Sequence, residues 1–286
     1  MANGNRFRKL AALLAVFVVA AFANAAAGKQ RIAILTPEAG GIVSVIASSL
    51  SEQLEADHKL IDPSLAESAF AASSIESPYN MTAEDSRNLA SAIGCDFLLI
   101  VRSETIRRYS SEKKEHFESF AAVFVVSGRM GLLADFRLTS FSGFKSADSE
   151  RLLAESVPGI AASVASTIAK PAAFANKEDR FVEVPAEGSQ EARGFRPPRP
   201  YRRISPKYTQ TAWLYSIAAT VDIEIDLDET GTIRRAEVVR WAGFGLDAAV
   251  EDAVRNMNWW AAERSGTKVP TRFVLRYNFK RIEKED

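Results

Sequence analysis

The feature that most constrains this chain is a hydrophobic period that changes twice between residues 218 and 279. Apolar side chains first fall on every second residue with acidic ones between them, a pattern typical of a half-buried strand. The apolar set is Val221, Ile223, Ile225 and Leu227, and the acidic set is Asp222, Glu224, Asp226 and Asp228. A polar turn at Gly231 and a return strand over residues 232–241 complete a predicted hairpin.

From Leu246 the period becomes three and four residues, which predicts a helix with one apolar face. That face carries Leu246, Ala249, Val250, Ala253, Val254 and Met257. The helix is predicted to run into Trp259 and Trp260, and Gly266 lets the chain turn back. Residues 272–279 alternate again as a third strand. The predicted order is strand, strand, helix, strand, which forms an antiparallel sheet backed by a single helix.

The two outer strands carry charges of opposite sign. The first has Asp222, Glu224 and Asp226, and the last has Arg272, Arg276 and Lys280. If the strands share a sheet with the helix on one face, these charges lie on the open face and can pair. Each solvated pair would contribute only about 0–1 kcal/mol, and the carboxylates would keep ordinary pKa values. The pairs are therefore expected to fix strand register more than stability.

A long ordered run of residues carries a family resemblance. The run comprises Pro206, Tyr208, Ala212, Thr220, Val221, residues 228–231, Val238, Val239, Gly243, residues 246–249, Ala253, Val254, Trp259, Ala262, Gly266, Val269, Pro270 and Phe279. Over residues 206–280 it resembles the C-terminal domain of the TonB family of energy transducers. The resemblance implies recruitment of an extended peptide, in that family the TonB box of an outer-membrane receptor, as a strand added to the sheet edge.

The glycine turn of this region also matches a dinucleotide fingerprint in form, because residues 243–248 read G-x-G-x-x-A. Its context differs, since the preceding strand belongs to an antiparallel hairpin rather than a βαβ unit. A plain strand-to-helix turn is the preferred interpretation. In that turn Asp247 is expected to accept backbone N–H bonds at the start of the helix.

The first half alternates between strand and helix patterns, which predicts an α/β layer. Strands are expected at residues 31–36, 58–62 and 97–101, antiparallel strands at 120–126 and 132–141, and helices at 42–54, 64–72, 82–93 and from 149 onward. This half weakly resembles the N-terminal α/β domain of TolB and the related CsgG-like periplasmic assembly proteins. The carriers are the opening strand at 31–35, the helix-to-strand passage at 89–99, and the strand and helix after Asp135.

The N-terminus has Arg6, Arg8 and Lys9 ahead of an apolar run over residues 10–23, followed by small residues at 23–25. This pattern predicts a signal peptide over residues 1–27 and export to the periplasm. An uncleaved anchor is the alternative, because residues 10–27 are nearly long enough to span a bilayer core of about 30 Å. Membrane contact is expected only through this segment, and only if it is not cleaved.

Composition excludes several classes of function. Lysine plus arginine and aspartate plus glutamate are equal at 36 each, so the overall charge indicates neither nucleic acid nor an anionic membrane as a partner. Cys95 is alone, which excludes an intramolecular disulfide and a cysteine-rich metal site. His58 and His116 sit in unrelated contexts, and no nucleophile motif is present. We therefore expect no catalysis, no metal and no cofactor.

Residues 171–205 lose all hydrophobic period and gather prolines and glycines, as linkers do. A basic run with two aromatic residues lies within them, namely Arg193, Phe195, Arg196, Arg199, Tyr201, Arg202 and Arg203. Binding to an anionic lipid or glycan is one hypothesis for this run. A solvated, extended segment is the preferred one.

The sequence thus predicts an α+β protein in four parts: residues 1–27 for export, an α/β sandwich domain over 28–170, a linker over 171–205, and the TonB-like ββαβ module over 206–286. The predicted function is a periplasmic adaptor in envelope transport or assembly that binds protein partners by strand addition. The predicted partner-binding residues are Arg272, Val274, Arg276 and Asn278 along the strand edge, with Trp241, Phe244 and Trp260 as aromatic contacts.

Two further functions stay open. One is an energy transducer that couples an inner-membrane motor to outer-membrane receptors. Against it, the apolar N-terminal segment lacks the histidine that meets the motor in that family, and a folded domain replaces most of the proline-rich arm. The other is a ligand-binding or enzymatic role for the first domain. The sequence also leaves open a homodimer and the identity of the partner.

Overall fold

The computed structural model describes residues 29–38, 40–109, 115–170 and 180–280. The segment predicted as a signal peptide or anchor lies outside these residues. No helix in the described ranges is long and apolar enough to cross a membrane.

A five-stranded sheet organises the first half, in the order β2-β1-β3-β4-β5. Its strands are β1 (Arg31–Leu35), β2 (Lys59–Leu60), β3 (Phe97–Arg108), β4 (His116–Ser127) and β5 (Leu133–Gly143). Strand β1 pairs in parallel with β2 and β3, while β3, β4 and β5 form antiparallel pairs. The predicted α/β layer with an antiparallel extension is confirmed.

Helices cover both faces of this sheet. They are α1 (Ile42–Glu55), α2 (Pro63–Ala71), α3 (Ala83–Ile93), α4 (Ser146–Glu155) and α5 (Val157–Ile168). The last helix predicted from residue 149 is in fact two helices, which meet at Ser156 just before Pro158. Helix α3 begins as predicted, because Thr82 and Asp85 form a capping box.

The first sheet has a hydrophobic core on each of its faces, and strand β4 contributes to both. Its side chains alternate between faces, and both faces are buried. Val123 and Val125 pack with α1, α4 and α5, while Phe124 packs on the opposite face with α2 and α3. A strand buried on both faces needs a continuous apolar run, which residues 120–126 supply.

A four-stranded sheet organises the second half, in the order β10-β9-β14-β6. The elements after residue 180 are β6 (Val182–Glu183), β7 (Phe195–Arg196), β8 (Arg199–Arg202), α6 (Gln210–Leu214), β9 (Ala219–Leu227), β10 (Ile233–Arg240), α7 (Leu246–Arg255), β11 (Asn258–Trp260), β12 (Ala262–Arg264), β13 (Thr267–Val269) and β14 (Thr271–Phe279). Strand β9 is antiparallel to both β10 and β14, and α7 packs on one face. The predicted order of strand, strand, helix and strand is confirmed, and so is the α+β class.

Two predictions about the chain around this sheet are wrong. Helix α7 ends at Arg255, so Trp259 and Trp260 belong to β11 instead of the helix. Part of the predicted linker is strand rather than solvated chain, because β8 pairs with β11, β7 with β12, and β6 with β14. These pairings bind the proline- and arginine-rich segment to the second half.

The two halves share one hydrophobic core. The ring of Phe124 lies 5.3 Å from that of Trp241, and the ring of Phe136 lies 4.8 Å from that of Phe244. Gly243 allows this close approach, because it has a φ of +69° and a Cβ there would lie 2.6 Å from the Phe136 ring. The loop between β10 and α7 thus completes the face of the first sheet that α2 and α3 leave uncovered.

Candidate partner-binding surface

Strand β14 has one fully paired side and one nearly free side. On the paired side it meets β9 along its whole length, from Thr271 opposite Leu227 to Phe279 opposite Ala219. On the other side β6 reaches only Thr271 and Arg272. In the described part of the chain, residues 273–279 therefore have no second strand partner. We call this stretch the free edge.

The hydrogen bonds to β6 show which backbone groups face the free edge. The carbonyl oxygens of Pro270 and Arg272 accept N–H bonds from Val182 at 3.1 Å and from Val184 at 3.2 Å. Backbone groups of successive strand residues point to alternate sides, so the even-numbered residues direct theirs away from β9. On the free edge, the residues whose backbone groups face outward are Val274, Arg276 and Asn278. These three were predicted as edge residues, while the fourth, Arg272, is already bonded to Val184.

An apolar groove of about 340 Å³ runs beside the free edge. One wall is formed by residues 273–277 of β14, and the other by Pro197, Pro198 and Pro200. Met257 and Trp259 also line the groove. An apolar groove beside unpaired backbone groups has the shape and chemistry that bind an extended peptide.

Two exposed aromatic residues flank the segments that line this groove. Trp260 is 60 % exposed, and its ring packs at an angle of 46° against that of Tyr201, with the centroids 4.9 Å apart. Each is next in sequence to a lining residue, Trp259 and Pro200 respectively. Trp260 was predicted as a contact residue, whereas Tyr201 and the proline wall were not. The only sequence signal for them was the aromatic residue within the basic run.

Two of the predicted contact residues do not reach the surface. Trp241 is 0 % exposed and Phe244 is 2 % exposed. Both pack against Phe124 of the first sheet, and Phe244 also packs against Phe136. The prediction that they contact a partner is wrong, because another part of the same chain already covers them.

The open face of the second sheet carries a row of ion pairs between acidic and basic side chains, which we call the charge ladder. It comprises Asp222, Glu224, Asp226, Arg235, Arg240, Arg272 and Arg276. Asp226 accepts bonds from Arg272 Nε at 2.6 Å and from Arg235 Nε at 2.9 Å. Asp222 accepts bonds from Arg276 Nε at 2.7 Å and Nη2 at 2.8 Å. The predicted pairing between the first and last strands of this module is confirmed, although β9 lies between β10 and β14 and is therefore not an outer strand.

The burial of the ladder was not predicted. Asp222 and Asp226 are only 5 % and 1 % exposed, so the expectation of solvated carboxylates with ordinary pKa values is wrong. Burial by itself raises the pKa of Asp226, but the hydrogen bonds from Arg272 and Arg235 outweigh it, and the net pKa lies below the usual range. The same balance lowers the pKa of Asp222, with Arg276 and Arg240 as donors. Because both aspartates stay ionised, the ladder fixes β14 against β9 and holds the free edge in place.

Comparison with known sequences identifies the family of the second domain. Residues 204–281 match the family described as the Gram-negative bacterial TonB protein C-terminal. This segment is a TonB C-terminal domain. The TonB resemblance predicted from the sequence is confirmed, and it indicates a TonB-like protein of the bacterial envelope. No curated protein matches the chain.

Several solved structures are similar to parts of the chain. The TonB C-terminal domain of Pseudomonas aeruginosa is 22% identical, with 35% of this chain and 95% of that chain covered and a TM-score of 0.27. A lipoprotein from Neisseria meningitidis is 18% identical, with 48% and 99% covered and a TM-score of 0.33. A hypothetical protein from Chlamydia trachomatis is 12% identical, with 50% and 100% covered and a TM-score of 0.32. The resemblance of the first half to TolB and CsgG-like proteins stays a prediction.

Proposed function

We propose that this protein is a periplasmic adaptor whose TonB C-terminal domain binds an extended segment of another protein as a strand added to β14. The observation that carries the proposal is the free edge over residues 273–279 with an apolar groove beside it. The family match supports it, because the TonB resemblance implies capture of a peptide in this manner. Strand β14 also already accepts backbone from β6 at Thr271 and Arg272, just before the free edge.

The free energy of such binding would have two contributions, one from backbone hydrogen bonds and one from side-chain contacts. Each backbone hydrogen bond gained along the edge contributes a net of about 0.5–1.5 kcal/mol whatever the partner's sequence. Specificity comes from side chains, since alternate residues of an added strand point to the same side. On the groove side these side chains would meet Met257, Trp259 and the prolines, so we propose apolar residues at alternate positions of the partner segment.

For the first domain we propose a scaffolding role rather than catalysis. Both faces of its sheet are packed by helices or by the second half, and side chains fill the space between. The shared core also fixes the two domains relative to each other. An adaptor gains from this arrangement, because the groove is held at a set position on a rigid body.

The proposal can be tested with a photo-crosslinking amino acid at Arg203, an exposed residue that lines the groove. The full-length protein is irradiated in the bacterium, and the crosslinked segment is sequenced by mass spectrometry. We expect a segment of another protein. Val274→Pro should remove the product, because proline lacks the outward N–H, whereas Val274→Thr keeps that donor and should retain the product.

Val274→Pro is expected to stay folded, since its N–H is not used in pairing with β9 and proline is tolerated on such edges. Circular dichroism would check this. A crosslinker at Phe144, which is exposed on the first domain, serves as the control and should not give the same product. Persistence of the product in folded Val274→Pro, or crosslinks only to this chain's own residues 182–184, would contradict strand addition.

A further inference from the structure

A second concave surface, of about 1,110 Å³, lies on the first domain at the end of the sheet where β1 and β3 begin and β4 ends. Four cationic residues from separate elements line it: Arg31 in β1, Arg87 in α3, Arg129 after β4, and Lys170 after α5. We call this surface the basic face.

The local charge of the basic face differs from the overall balance of the chain. Among the described residues that line it, Asp96 is the only acid. Its carboxylate is held by Arg31, with Nη2 at 3.0 Å and Nε at 3.2 Å, so these two charges neutralise each other. Arg87, Arg129 and Lys170 are exposed and form no ion pair within the described ranges. The surface therefore carries a net positive charge.

Stabilisation of helix ends does not account for all three cations. Lys170 follows the end of α5, where a cation interacts favourably with the partial negative charge of the last carbonyls. Arg87, however, lies in the middle of α3, and Arg129 lies in the turn between β4 and β5. Their convergence on one concavity thus indicates an anionic ligand.

The covalent chain brings this surface close to the apolar N-terminal segment. Gln30 lines the basic face and follows Ala27, the last residue of the apolar segment, by three residues. Three residues of extended chain reach at most about 11 Å. A segment inserted in a bilayer would therefore hold the basic face at the level of the lipid headgroups.

We propose that, in the protein that retains its apolar N-terminal segment, the basic face binds the phosphate groups of anionic phospholipids, so that the first domain rests on the membrane at the base of that segment. This goes beyond the sequence prediction, in which only the apolar segment touches a membrane. A cation close to an anionic lipid surface contributes about fivefold in affinity, and the effect weakens as salt screens the charges.

The full-length protein, reconstituted in vesicles, provides the test. One set of vesicles contains phosphatidylcholine alone, and the other also contains phosphatidylglycerol. The rate at which a water-soluble reagent acetylates Lys170 is measured by mass spectrometry. We expect slower acetylation with phosphatidylglycerol and recovery of the rate at high salt. Lys268, exposed on the second domain, is the internal control and should react equally in both sets.

A pair of charge variants assigns the effect to the basic face. Arg87→Gln with Arg129→Gln should reduce the protection of Lys170 by phosphatidylglycerol, by about fivefold for each cation removed. The matched control, Lys145→Gln with Lys207→Gln, removes the same charge from exposed positions elsewhere and should leave the protection unchanged.

Three results would overturn the proposal. Equal acetylation of Lys170 in both vesicle sets would show that the lipid headgroup plays no part. Protection by soluble glycerol phosphate without vesicles would assign the surface to a free anion instead of a membrane. Unchanged protection in the Arg87 and Arg129 variant, together with a lowered melting temperature, would make these arginines purely structural.

Discussion

The side-chain amide of Asn80 makes two hydrogen bonds with the backbone of Thr220, 140 residues away. Its Nδ2 donates to the Thr220 carbonyl at 2.7 Å, and the Thr220 N–H donates to its Oδ1 at 2.9 Å. The same Nδ2 also donates to the carbonyl of Trp241 at 2.6 Å. One side chain of the first half therefore satisfies three backbone groups of the second and fixes how the two halves meet.

Asn80→Ala should lower the free energy of unfolding by about 2–4 kcal/mol, because it leaves three part-buried backbone groups without a partner. Urea unfolding followed by circular dichroism measures the change. Asn88→Ala, at an exposed position in α3, is the control and should stay within about 0.5 kcal/mol of the wild type. Equal effects of the two substitutions would show that the Asn80 bridge does not hold the halves together.

Two glycine substitutions separate backbone strain from contact between the halves. Gly243 and Gly266 both have positive φ, at +69° and +83°, so alanine at either position costs about 1–2 kcal/mol in backbone strain. Only at Gly243 does the new Cβ meet the rings of Phe136 and Phe124, whereas nothing lies within 4 Å at Gly266. Gly243→Ala should therefore lose about 1–3 kcal/mol more than Gly266→Ala in denaturant melts. Equal losses would mean that the loop does not pack tightly against the first sheet.

Asp226→Asn should destabilise the fold by about 1.5–3 kcal/mol, because it weakens the charge-assisted bonds of residue 226 to Arg235 and Arg272, while Glu224 and Glu237 still pair with Arg235. Glu155→Gln, in the exposed pair with Arg151, should change stability by less than about 1 kcal/mol. The folded-state pKa of Asp226 is lowered, so its contribution is complete above the unfolded value and is lost as the pH falls through the folded value. The difference between wild type and Asp226→Asn should thus shrink in acid, and a difference independent of pH would contradict the role of the charge.

Asp247 should show the opposite dependence on pH. Burial raises its pKa from 3.8 to about 6, although its carboxylate accepts N–H bonds from Ala242 at 2.9 Å and Gly243 at 2.6 Å. Between these two pKa values the folded state holds a proton that the unfolded state releases. The contribution of Asp247 to stability is therefore largest below about pH 4 and declines by about 3 kcal/mol as the pH rises to 7.

The difference in unfolding free energy between wild type and Asp247→Asn, measured from pH 4 to pH 7, isolates this effect. Asparagine cannot titrate, so the difference should decline as the pH rises. A flat difference would show that the Asp247 carboxyl is not perturbed in the folded protein.

The second domain could be predicted from sequence where local pattern decides structure. The alternation in β9 and the three-and-four spacing in α7 specify a strand and a helix without any knowledge of their neighbours. The pairing of Asp222 with Arg276 followed from the alternation of charges in the first and last strands, although these strands, β9 and β14, are neighbours and not the outer strands of the sheet. The predicted bonds from backbone N–H groups to Asp247 are also present, although their donors precede it instead of lying in the first turn of the helix.

The remaining features depend on contacts that no local pattern encodes. Trp241 is of a residue type that often lies in binding sites. It is a core residue only because the ring of Phe124, far away in sequence, packs against it. Asp226 alternates as an exposed residue would, yet two arginine side chains from neighbouring strands cover it. Strand β8 has no hydrophobic period in its sequence. It is ordered as a strand because it pairs with β11.

The shared core predicts that the two halves unfold together. All 4 tryptophans lie after residue 205, so tryptophan fluorescence reports the second half and, through Trp241, its contact with Phe124, whereas circular dichroism reports both halves. We expect the two signals to give the same melting temperature, since Phe124 contacts Trp241 and Phe244 across the junction. Phe124→Ala, a change in the first half, should lower the fluorescence midpoint as much as the circular dichroism midpoint, at a cost of about 3–5 kcal/mol. If the fluorescence midpoint stays unchanged in Phe124→Ala, the halves are independent, and the groove beside β14 is not held rigidly by the first domain.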